Sequence, residues 1–377
     1  MLIIGLMSGT SLDGIDTVLC DIEGEFDQIK VRQLDYFTET FDDGLKDRVR
    51  QIINNRNITT ELICSVNFEL GKAYSNAVKK MLDKNQLKGS DVRLVANHGQ
   101  TLYHIPKPSL PYVPSTLQMG ESSIIAYDNQ VDVIDNFRVM DVAAGGEGAP
   151  LVPFSERILY REPNKLVALQ NIGGISNVTL LSNDEISAFD CGPGNMMIDE
   201  AVRYFYHKDY DKDGFIASTC NKDNELFNEL TQHPYLNRKP PKSTGREDFG
   251  ETFVKDLIKR YSHLEPNCIV STFTEFSAYA IQDSYRKYMK QLPDRMIVGG
   301  GGAFNSTLMS HLRRYLPEVE VLTQEDLGFS SDAKEAIAFA LLGYAFIKQV
   351  PSNVLEATGA KHEVLLGKLT PNPFNQK

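Results

Sequence analysis

The feature that most constrains this chain is a pattern that occurs twice. Near the start, the apolar run Leu2–Met7 passes through Ser8-Gly9-Thr10-Ser11-Leu12-Asp13-Gly14 into Thr17–Ile22. This reads as a strand, a turn of small residues and a second strand. Near the middle, Lys165–Ile172 passes through Gly173-Gly174-Ile175-Ser176 into Asn177–Leu181 on the same plan. Each half later supplies a strand that ends in a polar or Gly-rich loop, Asn97-His98-Gly99-Gln100 in one and Gly299–Gly302 in the other. Residue identity between the halves is low, so what repeats is the plan. It predicts two related α/β lobes whose turns face one another across a cleft.

Length agrees, because 377 residues exceed what one hydrophobic core usually organises. Lys and Arg total 39 against 50 Asp and Glu, a net charge of −11 that repels polyphosphate backbones and argues against a general nucleic-acid binder. A small anionic ligand held by a local cluster of donors remains compatible with that charge. The apolar start Met1–Met7 lacks a basic lead and is too short for a signal peptide. The longest nearly unbroken apolar run, Ala336 to Ile347, falls short of the ~18 residues a membrane span needs. Five scattered cysteines without a C-x-x-C suggest free thiols in a reducing compartment. These features predict a soluble, cytoplasmic protein with no nucleic-acid or membrane partner.

Three segments carry chemistry. The turn Ser8–Asp16 packs two glycines, three hydroxyls and two carboxylates between strands. Its backbone N–H groups and hydroxyls suit a phosphate, and Asp13 or Asp16 suits Mg²⁺ held through water. The plainer alternative is a tight hairpin whose polar side chains satisfy the turn. Asp190 ends a strand and precedes Cys191-Gly192-Pro193-Gly194-Asn195 and a helix with the stripe Ile198, Ala201, Val202 and Phe205. A carboxylate there is well placed as a general base, or it caps the following turn. Gly299–Gly302 follow a strand and precede a helix striped by Leu308, Leu312 and Leu316, so a flat ligand such as a nucleotide base can lie on bare backbone. Asp332 and Glu335 stand in capping-box spacing before another striped helix, and His233–Gly250 reads as a long loop. Asp209–Gly214 opens like an EF-hand loop but has Cys220 at position twelve, and reads as a solvated acidic turn. Walker A, G-x-G-x-x-G and H-E-x-x-H patterns do not occur. From the residues alone, the chain reads as a two-lobed phosphate-binding protein, a phosphotransferase.

The segment Gly5–Asp16 resembles the N-terminal signature of the anhydro-N-acetylmuramic acid kinases. Further similar segments follow in the family's order: Asn97–Thr101, Gly148–Pro153, Asn171–Asn177, Phe189–Asn195, Thr244–Glu247, Gly299–Gly302 with Asn305, and Asp332–Ala336. The resemblance implies an α/β, two-lobed actin-like (ribonuclease H-like) sugar-kinase/ATPase fold with a central cleft. We draw the first lobe at 1–135, with 352–377 returning to it, and the second at 136–351. It also implies a reaction in peptidoglycan recycling: ATP, Mg²⁺ and water convert 1,6-anhydro-N-acetylmuramic acid to N-acetylmuramic acid 6-phosphate and ADP. A cytoplasmic homodimer is the implied form.

Carried over by motif, Gly9, Thr10, Ser11, Leu12, Asp13, Gly14, Ile15 and Asp16 would hold the ATP phosphates. Gly173, Gly174, Gly299, Gly300, Gly301 and Gly302 would complete the nucleotide site. Asp190 would activate water and Glu335 would assist in the sugar site. His98, Arg138 and Asn177 would contact the sugar. Arg138 offers a bidentate partner for the lactyl carboxylate, with an ion pair to Asp141 as the alternative. Cys191, Glu147 and Ser243 depart from the family's usual Thr, Gln and Gly. Two other readings suit the same residues: a sugar kinase with another acceptor, and a non-catalytic sugar or nucleotide sensor.

Overall fold

The computed structural model describes residues 1–25, 28–162, 164–181 and 186–374. The chain divides into two compact units, Met1–Leu159 with Gly328–Lys377, and Tyr160–Leu327. The first supplies β1 (Leu2–Ser8), β2 (Ile15–Glu23), β3 (Lys30–Glu39), β4 (Leu94–Ile105), β5 (Ser115–Met119) and β6 (Val133–Asp135). The second supplies β7 (Val167–Ile172), β8 (Ile175–Leu181), β9 (Ile186–Pro193), β10 (Arg295–Gly299) and β11 (Glu320–Thr323). Near the chain's end β12 (Lys368–Thr370) pairs antiparallel with β6 in the first unit.

The two sheets share one plan. In the first, the order is β12-β6-β4-β1-β2-β3, and in the second β11-β10-β7-β8-β9. Each begins with an antiparallel meander, β1-β2-β3 or β7-β8-β9. Each then adds two parallel strands beside the first of the three, β4 and β6 or β10 and β11. This is the ribonuclease H-like arrangement, formed once in each unit, and it is the plan that the repeated strand–turn–strand pattern encodes.

Packing explains where the units divide. In β1, Ile4 and Leu6 lie in a core with Val66, Leu70, Ala77 and Met81 of the helix Thr60–Lys84. Strand alternation turns Gly5 to the opposite face. A Cβ on Gly5 would collide with the carbonyl of Ala336, so its absence lets the helix Lys334–Ile347 lie directly on the strand. Gly343 of that helix likewise has Leu94 and Ala96 of β4 where a Cβ would stand. The helix is therefore part of the first unit. The boundaries fall at Leu159/Tyr160 and Leu327/Gly328, not at 135/136 and 351/352. In the second unit, the helix Pro266–Tyr288 buries Phe273, Phe276 and Ala280 in one core and Ala278, Ile281 and Tyr285 in another. Among the described residues, no helix is long and apolar enough to cross a membrane.

Three expectations need correction. Cys220 and Cys268 form a disulfide with their Cα atoms 5.0 Å apart, leaving Cys20, Cys64 and Cys191 free. The fold brings them together because Ser271 Oγ donates to the carbonyl of Cys220 (2.7 Å) and Asp223 N donates to Thr272 Oγ1 (2.9 Å). Asp211 of the acidic turn is buried rather than solvated, and its carboxylate accepts from Ile216 N (2.8 Å) and Ala217 N (2.9 Å). The capping box before Lys334 does not form, since the cap residue is Ala333 with no side-chain cap bond.

Candidate active site

In the first unit, the turn between β1 and β2 is tied down from below and open above. Ser8 Oγ donates to Gly99 O (3.3 Å) and bonds the hydroxyl of Tyr74, while Gln100 Nε2 donates to Gly9 O (3.2 Å). Leu12 adopts a left-handed conformation (φ 61°) with its side chain buried, and its N–H closes onto Gly9 O at 3.2 Å. Gly14 is required because a Cβ there would meet the backbone oxygen of Glu39 at 2.6 Å. Thr10, Ser11 and Asp13 stand exposed, without side-chain partners among the described residues. One oxygen of Asp16 accepts from Tyr36 Oη (2.8 Å) and Thr38 Oγ1 (2.6 Å). The turn thus offers hydroxyls, backbone and the Asp13 carboxylate outward. Asp13 and the second oxygen of Asp16 are left as carboxylate oxygens, the donor type that Mg²⁺ takes directly or through water. No group of three or more His, Cys, Asp and Glu able to hold a metal occurs among the described residues.

The same unit brings His98, Arg138 and Glu335 into one neighbourhood. His98 is buried against Phe339, with ring centroids 4.6 Å apart. Its Nε2 accepts from Arg138 Nε at 2.9 Å. Burial, reinforced by the guanidinium, pushes the imidazole pKa down to about 3, so His98 stays neutral and orients Arg138. Arg138 Nη1 donates to Gly148 O at 2.8 Å, while Nη2 has no acceptor among the described residues. Burial lowers the Arg138 pKa and the charge of Glu335 opposes that shift. The alternative pair with Asp141 does not form. Asp141 is fully buried and accepts from Gly148 N (2.7 Å), Asn353 Nδ2 (3.0 Å) and Thr358 Oγ1 (2.8 Å). The negative charge of Glu147 is met by an ion pair with Lys107.

In the second unit, β-sheet register sets Asn171, Asn177 and Asp190 opposite one another on three adjacent strands. Asp190 Oδ2 accepts from Thr244 N at 2.9 Å, so the carboxylate is held by a distant loop and does not cap the turn that follows it. No described residue bonds Oδ1. The main chain of Asp190 is also fixed: its carbonyl accepts from Tyr235 Oη (2.8 Å) and its N–H donates to Lys242 O (3.2 Å). Behind the strand, Ser277 and Ser284 of the helix Pro266–Tyr288 donate to Gly194 O (2.7 Å) and Cys191 O (3.0 Å). Burial raises the Cys191 thiol far above its ordinary range, which leaves it protonated and inert. Thr244 opens the segment Thr244–Glu247 that carries part of the resemblance but had no role assigned, and Tyr235 and Lys242 were not singled out. The signal available was the loop His233–Gly250 itself, which contains the 3₁₀ turn Pro234–Asn237 and the short helix Arg246–Phe249.

The glycine-rich turns divide into packed and open positions. The carbonyls of Gly173 and Gly174 accept from Asn195 N (2.8 Å) and Gly194 N (2.8 Å), joining the β7–β8 turn to the start of the helix Met196–Tyr206. Gly300 has φ 80°, and a Cβ there would meet Asn171 Oδ1 at 2.7 Å, while one on Gly302 would collide with Ile172. Gly301 lines a cavity of about 640 Å³ with Asn195, Asp199, Tyr210, Phe304 and Asn305, whereas Gly299, Gly300 and Gly302 do not. Burial pushes the Asp199 carboxyl up to about 6; Arg203 opposes this and Asp209 and Asp211 add to it.

The family model for anhydro-N-acetylmuramic acid kinase matches residues 1–372. An anhydro-N-acetylmuramic acid kinase of Clostridioides difficile (strain 630) is 46% identical over 380 residues, covering 99% of each chain. One from Bacillus thuringiensis subsp. konkukian (strain 97-27) is 47% identical over 384 residues, covering 99% of this chain and 100% of that one. Among solved structures, the activator of the 2-hydroxyisocaproyl-CoA dehydratase from Clostridium difficile with bound ADPNP covers 94% of this chain and 99% of its own, at 13% identity and a TM-score of 0.42. By its full-length match and its close relatives, this chain belongs to the anhydro-N-acetylmuramic acid kinase family.

Proposed function

We propose that the chain couples hydrolytic opening of 1,6-anhydro-N-acetylmuramic acid to its phosphorylation by ATP, yielding N-acetylmuramic acid 6-phosphate and ADP in peptidoglycan recycling. The observation that carries this reading is the family match over residues 1–372. Asp190 takes a proton from water through its unbonded Oδ1 as the water oxygen attacks the anomeric carbon, while Thr244 N–H holds Oδ2. The bond from that carbon to the bridging oxygen breaks, and the released oxygen takes the γ-phosphoryl group. Phosphoryl transfer asks mainly for positioning and charge neutralisation. The exposed donors of Gly9–Asp16 and the turn at Gly173 and Gly174 receive the phosphates, and Gly301 backs the nucleotide base. When bound, Mg²⁺ supplies charge neutralisation on the phosphates, with Asp13 and Asp16 as its protein partners. Arg138, held by His98, presents Nη2 to the lactyl carboxylate, with Glu335 nearby, and Asn177 flanks Asp190. We also assign a cytoplasmic location and a homodimeric state, the second of which light scattering on the purified protein tests.

The assay offers ATP and Mg²⁺ with the anhydro-sugar, N-acetylmuramic acid or N-acetylglucosamine, and follows ADP. Release that depends on the anhydro-sugar is expected. Faster release with an ordinary sugar would reassign the acceptor, and tight nucleotide binding without turnover on any sugar would make the chain a sensor.

A further inference from the structure

Beyond its place in β9, Asp190 takes its hydrogen bonds from one strap, the segment from Tyr235 to Thr244, and that strap is anchored in an unusual way. Lys242 is buried, only 9% exposed, yet no carboxylate lies within ion-pair distance of it among the described residues. Its ammonium sits 4.7 Å from the ring centre of Tyr235 and 4.6 Å from that of Tyr288, a cage of two aromatic faces. It also donates to Ser284 Oγ at 3.3 Å, whose own hydroxyl donates to Cys191 O. Burial, with the charge of Lys287, lowers its pKa below the ordinary lysine range, while Asp283 and Asp190 pull the other way.

A buried cation without a paired counter-ion costs stability, and an apolar chain of similar length would pack there at least as well. What the cation does is fix a point of main chain. The carbonyl of Lys242 receives the N–H of Asp190 (3.2 Å), and two residues on, Thr244 N–H holds the Asp190 carboxylate (2.9 Å). One wall of the cage, Tyr235, bonds the Asp190 carbonyl (2.8 Å). The far end of the strap is secured separately, by Arg238 on Asp248 (3.1 Å) and Thr244 Oγ1 on Asp248 (2.7 Å). We propose that Lys242 is a positioning residue for the reaction: its caged ammonium sets the strap that aims the Asp190 carboxylate. This inference rests on the reading of Asp190 as the base that activates water.

The experiment compares K242M, K242R and D190N with the native enzyme in steady-state turnover of ATP and the anhydro-sugar, alongside thermal unfolding. K242M should lose about tenfold to hundredfold in kcat, the usual penalty for a slightly misplaced catalytic group, with KM for both substrates within about threefold. Its Tm should be unchanged or higher, and K242R should recover most of the lost kcat. A folded K242M with kcat within about twofold of native overturns the inference. So does a loss of kcat that comes with a lowered Tm and a raised KM, a failure of K242M to fold, or a K242R no better than K242M. Near-native turnover in D190N would instead remove the reading of Asp190 itself; an inactive D190N beside an unaffected K242M removes only the role of Lys242.

Discussion

A carboxylate serves as a base when one oxygen is held and the other is open, and Asp190 stands in that state, with Oδ2 on Thr244 N–H. D190N keeps the shape and the bond from Thr244 but removes the basic oxygen. Its turnover should fall by about 10²–10⁴, with nucleotide binding retained, as titration calorimetry would report. Asp199 makes a different prediction. Its folded pKa, pushed up to about 6, lies above the unfolded carboxylate value, so the charged form is penalised in the native state. That penalty is absent at acid pH and develops as pH rises through about 4 to 6. D199N should therefore stabilise the protein at pH 8 by about 1 kcal/mol after solvent screening, with the gain fading below about pH 4. Urea unfolding at the two pH values checks it, and a gain that is the same at both would contradict the assignment. Asp190 was legible in the sequence as a candidate base because its strand and the glycines after it are contiguous. The sequence marked Thr244 only as part of a motif, without its bond to Asp190, and could not reach Lys242 or Asp199, whose importance comes from partners distant in the chain or from burial.

At the scale of elements, legibility followed burial. β1, β2, β7 and β8 are readable because their apolar residues are packed into cores. β3 was not, since its ten residues are all exposed or half-buried and none is fully buried, as befits an edge strand. β11 and β12, four and three residues long, carry too little pattern to be seen. The helix Lys334–Ile347 was visible as an apolar stripe, but its seat on β1 depends on Gly5, which no periodicity reveals. G5A should force the strand and the carbonyl of Ala336 apart, at a cost of about 1–3 kcal/mol in urea unfolding. A G5A variant as stable as the native protein would mean that this helix is not tightly seated.

For the whole molecule, two sheets of the same order arise from a repeat of plan with little repeat of residues. Strand pairing and turn position recur although the side chains differ, because each half buries the same kinds of face. The first unit carries the β1–β2 turn that we assign to the phosphates, with Arg138 and Glu335, and the second carries Asp190, Asn177 and the cavity beside Gly301. The chain's family has one reaction, in which water opens a ring and the freed oxygen is phosphorylated, and we assign these two sets to it. The direct test is turnover of 1,6-anhydro-N-acetylmuramic acid with ATP and Mg²⁺ in ¹⁸O-labelled water, read by mass spectrometry of the product. Label at the anomeric oxygen of a sugar 6-phosphate, in step with ADP release, is the predicted result. A phosphorylated product without that label would contradict hydrolytic opening and leave Asp190 without water to activate.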